Sequence, residues 1–280
     1  MSNVLSAQEW QDSMTQFATM SDGCKIHYNH RQNEGKPILL LSNSLGTTMD
    51  MWSPQIEEFS KHFSLITYDK RGHGQSDVTL GAYSIDRLGR DIIELINYLQ
   101  IEKLFFCGLS IGGMMAQWLA TFHPERILAL VMANTSARIA PVSMWQDRID
   151  HVKQNGLASI WPAVLTRWVS DEFVQNQPKQ VDFMHDMFSG IDAVGYSGCC
   201  AAIRDMDLRN LASLNQLPTL IIAGTQDLAT PIEDSKFLLE HFENASLIEL
   251  NAGHLSNIEQ TDLFTQAVLA FFQKFDISST

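Results

Sequence analysis

The sequence predicts an α/β chain with a mostly parallel central sheet and helices on both faces. Three observations predict it. Short apolar runs alternate with helical stretches. The runs are continuous rather than alternating, as in parallel strands covered on both faces. The alternation then breaks for roughly 80 residues after Ala137, a length that suggests a helical insertion between two core strands.

Taken in order, "KIHYNH" (25–30) starts an antiparallel edge. "PILLLS" (37–42), "FSLITY" (63–68), "KLFFC" (103–107), "ILALVMA" (127–133), "PTLIIAG" (218–224) and "ASLIEL" (245–250) are the buried strands. Helical stretches run from Ile85 to Leu99, from Ile111 to Phe122 ahead of Pro124, and from Ser235 to Phe242. Leu263 to Phe275 forms a closing helix. The stretch after Ala137 is rich in Trp and Met: Trp145, Trp161, Trp168, Met184, Met187 and Met206. The expected organisation is therefore a core of residues 1–137 and 213–280, with a helical cap at 138–212. Aromatic and Met side chains of the cap, Trp145 among them, are expected to line a pocket for substrate.

The 280 residues suffice for a large core. A net charge of −13 argues against nucleic acid and against an anionic membrane surface. Four cysteines are too few for a disulfide framework, and Cys24, Cys107, Cys199 and Cys200 have no zinc spacing. Reduced thiols in the cytoplasm are expected. The N-terminus lacks a signal-peptide pattern. Leu104 to Phe122 is uncharged over 19 residues, the length of a membrane span. Its glycines, Ser110 and Gln117, and its midway change from β-prone to helix-prone residues, make it strand, turn and buried helix instead.

"FFCGLSIGGMMAQ" (105–117) carries the chemistry. Ser110 follows a strand and opens a helix, with Gly108 and Gly112 on either side. Glycine inside a helix costs about 1 kcal/mol relative to alanine, so these positions have another reason. A serine on a sharp strand-to-helix turn needs neighbours without side chains, and the turn leaves its hydroxyl exposed: the G-x-S-x-G nucleophile elbow. A hydroxyl is a weak nucleophile and needs a base. In this fold the partners follow in the order acid, then His. Asp227, directly after "PTLIIAG", and His254, just past "ASLIEL", sit at strand carboxyl ends, where open sheets build their sites. Asp227 would orient the imidazole and His254 would take the Ser110 proton, the two nitrogens lying within hydrogen-bond reach of their partners. His73, in "YDKRGHGQSD", competes as base, but its place in chain order is wrong. The oxyanion donors expected are the N–H of Ile111 and that of Leu45, in the loop "LSNSLGTTMDMW". The trio Ser42, Asn43 and Ser44 is either turn chemistry or part of the site.

Together these segments resemble the α/β-hydrolase family, and within it the branch of bacterial 3-oxoadipate enol-lactonases. The likeness rests on "SNSLGTTMDMW", "YDKRGHGQSD", "YSIDRLGRDI", "FCGLSIGGMMAQWLA", "CAAIRDMDLR", "AGTQDLATP" and "NAGHLSNIEQ", across about residues 37 to 260. "NSLGTT", where most relatives carry His-Gly, and "CAAIRDMDLR" are the parts specific to this branch. Roughly 16 residues before "FATMSDGCKIHYNH" do not align, and no counterpart of the decarboxylase domain fused to some relatives is expected in these 280 residues.

The resemblance implies Ser110 as nucleophile, Asp227 as acid and His254 as base, with Leu45 and Ile111 as oxyanion donors. It implies a small anionic lactone as substrate and no metal or organic cofactor. Serine at position 110 argues against the aspartate-based dehalogenase and epoxide hydrolase chemistries of the family. The alternatives are a general carboxylesterase or perhydrolase, a C–C bond hydrolase of ring-cleavage products, or a receptor that keeps the fold. Since the protein is acidic, recognition of a carboxylate must be local, and a guanidinium fork suits it. Arg138, after "ILALVMA", and Arg204, in "CAAIRDMDLR", are the candidates. Arg204 pairing with Asp205 or Asp207 to tie the cap together is the competing expectation.

Overall fold

The computed structural model describes residues 16–275. One eight-stranded sheet organises them, in the order β1-β2-β4-β3-β5-β6-β7-β8. Its strands are β1 (Gln16–Thr19), β2 (Lys25–Arg31), β3 (Ile38–Ser42), β4 (Ser64–Tyr68), β5 (Leu104–Leu109), β6 (Ile127–Ala133), β7 (Thr219–Gly224) and β8 (Ala245–Leu250). β1 and β2 run antiparallel, and β2 pairs antiparallel with β4. From β4 to β8 every pairing is parallel. The continuous apolar runs have the cause expected of them: all of β4, β5 and β7 is buried, because helices cover both faces. Truncating a residue such as Leu40 to alanine there would cost about 2–5 kcal/mol. The edge differs from the expectation. "KIHYNH" lies second from the margin, and the margin itself is β1, a strand of four residues too short to stand out by pattern.

Eleven α-helices lie among the described residues. On the sheet side these include α1 (Ser53–Phe59), α2 (Ile85–Tyr98) and α3 (Ile111–Phe122). α2 starts where the Ser84 hydroxyl accepts the Arg87 N–H, and it buries Leu88, Ile92 and Ile96 along one stripe. α3 buries ten of its twelve residues, which accounts for its lack of charge. No helix of the described residues is long and apolar enough to cross a membrane.

Between β6 and β7 the chain forms α4 (Val142–Asn155), α5 (Trp161–Trp168), α6 (Asp171–Asn176), α7 (Pro178–Ser189) and α8 (Ala193–Asp205), with no strand among them. Aromatic rings join these helices: Trp161 to Trp168 at 5.8 Å, Trp168 to Phe188 at 5.7 Å, and Phe188 to Tyr196 at 5.9 Å. The helical layer sits on the loops at the carboxyl edge of the sheet. The Leu255 N–H donates to the Trp168 carbonyl at 2.7 Å. A Cβ added to Gly195 of α8 would lie 2.1 Å from the Gly72 carbonyl oxygen, in the turn after β4. After β7 come α9 (Ile232–His241), α10 (Ser256–Glu259) and α11 (Thr261–Phe272). α11 closes the far face, where Phe272 lies 4.6 Å from Phe105 of β5.

Candidate active site

Ser110 sits between β5 and α3 with φ 61° and ψ −120°, a backbone conformation that L-residues rarely adopt. Such strain costs about 1–3 kcal/mol and persists only where the surroundings hold it. Here the Ser110 N–H donates to the Ala133 carbonyl at 2.9 Å, and the Thr135 hydroxyl donates to the Ser110 carbonyl at 2.8 Å. The flanking glycines are needed for space rather than for φ. A Cβ on Gly108 would lie 2.2 Å from the Gly112 carbonyl oxygen, one on Gly112 2.2 Å from the Ser42 carbonyl oxygen, and one on Gly113 2.6 Å from Thr135. The elbow is thus wedged between β3 and the loop after β6.

Asp227 and His254, on the loops after β7 and β8, meet through a 2.8 Å contact between the Asp227 carboxylate and His254 Nδ1. The carboxylate also accepts from the Thr230 hydroxyl at 2.7 Å, from the Asn134 amide at 3.0 Å, and from the N–H groups of Ala229 and Thr230. Burial pushes the Asp227 carboxyl up, but the His254 ring and these donors outweigh burial and hold it below its ordinary value. An ionised Asp227 accepts a hydrogen bond from Nδ1–H, which leaves Nε2 with a free lone pair. The ring's hydrogen bonds run to Asp227 and Thr230, and among the described residues none reaches Ser110. The serine–histidine bond expected from the sequence is therefore not formed here, although both side chains line one cavity. Contacts between nucleophile and base are commonly long before substrate binds.

The turn after β3 supplies the third part. Of its four amides, that of Ser44 donates to Met51 Sδ, that of Gly46 to His73 Nε2 at 3.0 Å, and that of Thr47 to the Ser44 carbonyl. The Leu45 N–H is left without a partner among the described residues, as is that of Ile111, the first residue of α3. β3 and β5 are in register at Ser42 and Gly108, which brings the two loops side by side. His73, the competing base, is used up in holding Gly46. Burial and the nearby Lys70 charge keep its ring well below the ordinary histidine range, so it stays neutral and can accept.

The cavity is lined on the sheet side by Ser44, Leu45, Ser110, Thr230 and His254. On the helical side stand Trp145, Arg148, Arg167, Trp168 and Tyr196. Arg138 and Arg204 lie outside this lining. Arg138 faces Asp207 at 3.6 Å, and Arg204 makes two 2.7 Å bonds to Asp205 and a further one to Gln146. Both therefore belong to ion pairs on the helical layer rather than to the cavity. Arg148 and Arg167 take the place expected for them. Arg148 lies 5.2 Å over the Trp145 ring and donates to the Tyr196 hydroxyl at 3.3 Å. Neither arginine has a carboxylate in ion-pair contact among the described residues. Burial and the like charge of Arg148 push Arg167 below its ordinary value, and the Asp227 charge offsets this only in part. Trp145, expected at the substrate, does line the cavity, and its buried indole N–H makes no hydrogen bond among the described residues.

Sequence reasoning passed over Asn134, Thr230, Arg148 and Arg167. Asn134 and Thr230 carried a signal, since each is polar and lies just past a buried strand or beside the acid. The two arginines carried none, because nothing local distinguishes them from their paired neighbours.

A model of the alpha/beta hydrolase fold family matches residues 37–190. The chain is 42% identical over 242 residues to 3-oxoadipate enol-lactonase 2 of Acinetobacter baylyi, covering 86% of this chain and 90% of that protein. It is 37% identical to 3-oxoadipate enol-lactonase 1 of the same organism, covering 85% and 89%. Among solved structures, the enol-lactonase from Burkholderia xenovorans LB400 superimposes with a TM-score of 0.90 at 37% identity, covering 92% of this chain and all of that one, 100%.

Proposed function

Because this chain belongs to the alpha/beta hydrolase fold family, we propose that it opens a small anionic enol-lactone, 3-oxoadipate enol-lactone, to 3-oxoadipate through an acyl-enzyme on Ser110. The observation that carries the reading is the composition of the cavity at Ser110. It joins Ser110 and His254 to two arginines with no carboxylate in ion-pair contact among the described residues. The 42% identity to an enol-lactonase supports the same substrate class.

In this reading residues 138–212 act as a cap on the core formed by 1–137 and 213–280. Arg148, Arg167 and the Trp145 N–H hold the carboxylate of the lactone from the cap side, and the ring carbonyl rests against the Leu45 and Ile111 N–H groups. Ser110 Oγ attacks the carbonyl carbon while His254 Nε2 takes the hydroxyl proton. The negative charge that develops on the carbonyl oxygen is met by the two N–H groups. The ring C–O bond then breaks, and His254 returns the proton to the departing enol oxygen. The enol becomes the ketone of the product. Water attacks the acyl-enzyme, again giving its proton to His254, and the second carboxylate is released with Ser110 restored. Asp227 stabilises the imidazolium at each stage.

Steady-state turnover of the enol-lactone, a simple aryl ester and a ring-cleavage dienoate decides between this reading and its rivals. The lactone should be preferred by kcat/KM. Ser110→Ala should lower kcat by about 10⁴-fold or more with folding intact. Preference for the dienoate would make the protein a C–C hydrolase, and no turnover of any of the three would make it a receptor.

A further inference from the structure

Lys70, in the turn after β4, is 1% exposed, and no carboxylate lies in ion-pair contact with it among the described residues. Its Nζ donates to the Ser44 carbonyl at 2.6 Å and to the Thr47 carbonyl at 3.3 Å. The Ser44 carbonyl belongs to the same peptide unit as the Leu45 N–H. The Thr47 hydroxyl donates to that carbonyl as well, at 2.8 Å, and His73 holds the next amide, Gly46, away. A cation on the oxygen of a peptide withdraws electrons from its nitrogen and makes the N–H a stronger donor. We propose that Lys70 is a positioning residue for the oxyanion hole, holding the Ser44 carbonyl from beneath so that the Leu45 N–H is aimed and polarised toward the acyl oxygen. This rests on the acyl-enzyme reading of Ser110 given above.

A buried ammonium with only carbonyls for partners is a poor way to stabilise a turn. Burial pulls Lys70 down to about 8. Three groups from the surrounding elements face it: Asp69 and His73 in its own turn, and Cys199 of α8. Asp69 is bonded to His27 and to the Met49 N–H, each at 2.8 Å. His73 stays neutral for the reason given above, and burial pushes the Cys199 thiol up to about 12. Below about 8 Lys70 is an ammonium. Above it a neutral amine remains, whose N–H bonds polarise the peptide far less. Catalysis should therefore weaken as pH rises through this value. Stability should move the other way. In the unfolded chain lysine titrates near 10.4, so between about 8 and about 10.4 the unfolded state binds more protons and stability rises with pH.

The test uses a neutral aryl ester, so that carboxylate recognition plays no part. Wild-type kcat should fall with a midpoint near 8. Lys70→Met and Lys70→Gln should lower kcat at pH 7 by about tenfold or more, part of the roughly 10²–10³ that a whole oxyanion donor is worth. Their KM should stay within about twofold, their kcat should be flat above pH 8, and the melting temperature of Lys70→Met at pH 7 should be unchanged or higher. A lysine that merely supports the fold would lower the melting temperature and leave the basic limb in place, and that result overturns the proposal. So does wild-type kcat in both variants. Should neither variant fold, the wild-type profile decides: a plateau from about pH 7 to about pH 10 overturns the proposal, and a fall near 8 supports it. Ser110→Ala, run beside them, separates the two readings. If it keeps normal turnover the acyl-enzyme reading fails; if it is inactive while the lysine variants behave as wild type, only the role of Lys70 fails.

Discussion

At the scale of single residues, Asn134 shows how few groups connect the site's parts. Its amide donates to Asp227 at 3.0 Å and to the Gly253 carbonyl at 3.2 Å, while its oxygen accepts from Ser256 at 2.5 Å. One side chain thereby links the loops after β6, β7 and β8. Its φ of 46° is a conformation that Asn tolerates better than most residues. Arg148 and Arg167 act at the same scale. If they hold the substrate carboxylate, Arg148→Ala and Arg167→Ala should each raise KM for the anionic lactone by about tenfold or more, since a hydrogen bond to a charged group is worth about 1.5–3 kcal/mol. Turnover of a neutral aryl ester should change much less. Equal losses on both substrates would show that the arginines support the helical layer instead. Arg138→Ala and Arg204→Ala, whose side chains pair with Asp207 and Asp205, should leave both KM values near wild type.

At the scale of elements, the meeting of α8 with the turn after β4 is the joint between the helical layer and the sheet. Gly195 and Gly72 let the two backbones touch, and a Cβ on Gly195 would stand 2.1 Å from the Gly72 carbonyl oxygen. Backbone cannot yield as a flexible side chain does. Gly195→Ala should therefore push α8 off the turn that carries Lys70 and His73, at a cost of about 1–3 kcal/mol. Thermal unfolding should record the loss, and kcat should drop with it because the Leu45 amide is held from that turn. A variant with an unchanged melting temperature and full kcat would show that the joint relaxes freely. The oxyanion turn is covered from the same layer: a Cβ on Gly46 would lie 3.0 Å from the Phe188 ring and 3.4 Å from that of Trp168.

At the scale of the whole molecule, a net charge of −13 opposes an anionic substrate while two partly buried guanidinium groups in the cavity wall attract it. The two fields respond differently to salt. Exposed charges are screened beyond about 10 Å at 0.1 M ionic strength, whereas charges inside a cavity are screened much less. Raising ionic strength from about 10 to about 150 mM should thus leave kcat/KM for the lactone unchanged or modestly higher, with the neutral ester unaffected. A marked fall would mean that long-range attraction, and hence a basic surface region, brings the substrate in.

The sequence by itself determined the sheet from β2 to β8, the elbow and the chain order of the acid and the histidine. Each is encoded locally: β5 is a continuous apolar run, Gly108 and Gly112 flank Ser110, and Asp227 and His254 come just past the ends of apolar strand segments. These signals depend on the backbone a residue sits in, and that backbone is set by its neighbours in sequence. Only the tertiary structure decided which charged side chains share the cavity. Arg138 and Arg204 stood in the suggestive segments, yet each pairs with an aspartate, while Arg148 and Arg167 make no ion pair among the described residues. A long side chain's partner is fixed by the packing of distant helices, so no local pattern reports it. The same holds for Lys70: its place in "YDKRGHG" does not say that its amine passes beneath a turn 23 residues or more away and meets the carbonyls of Ser44 and Thr47.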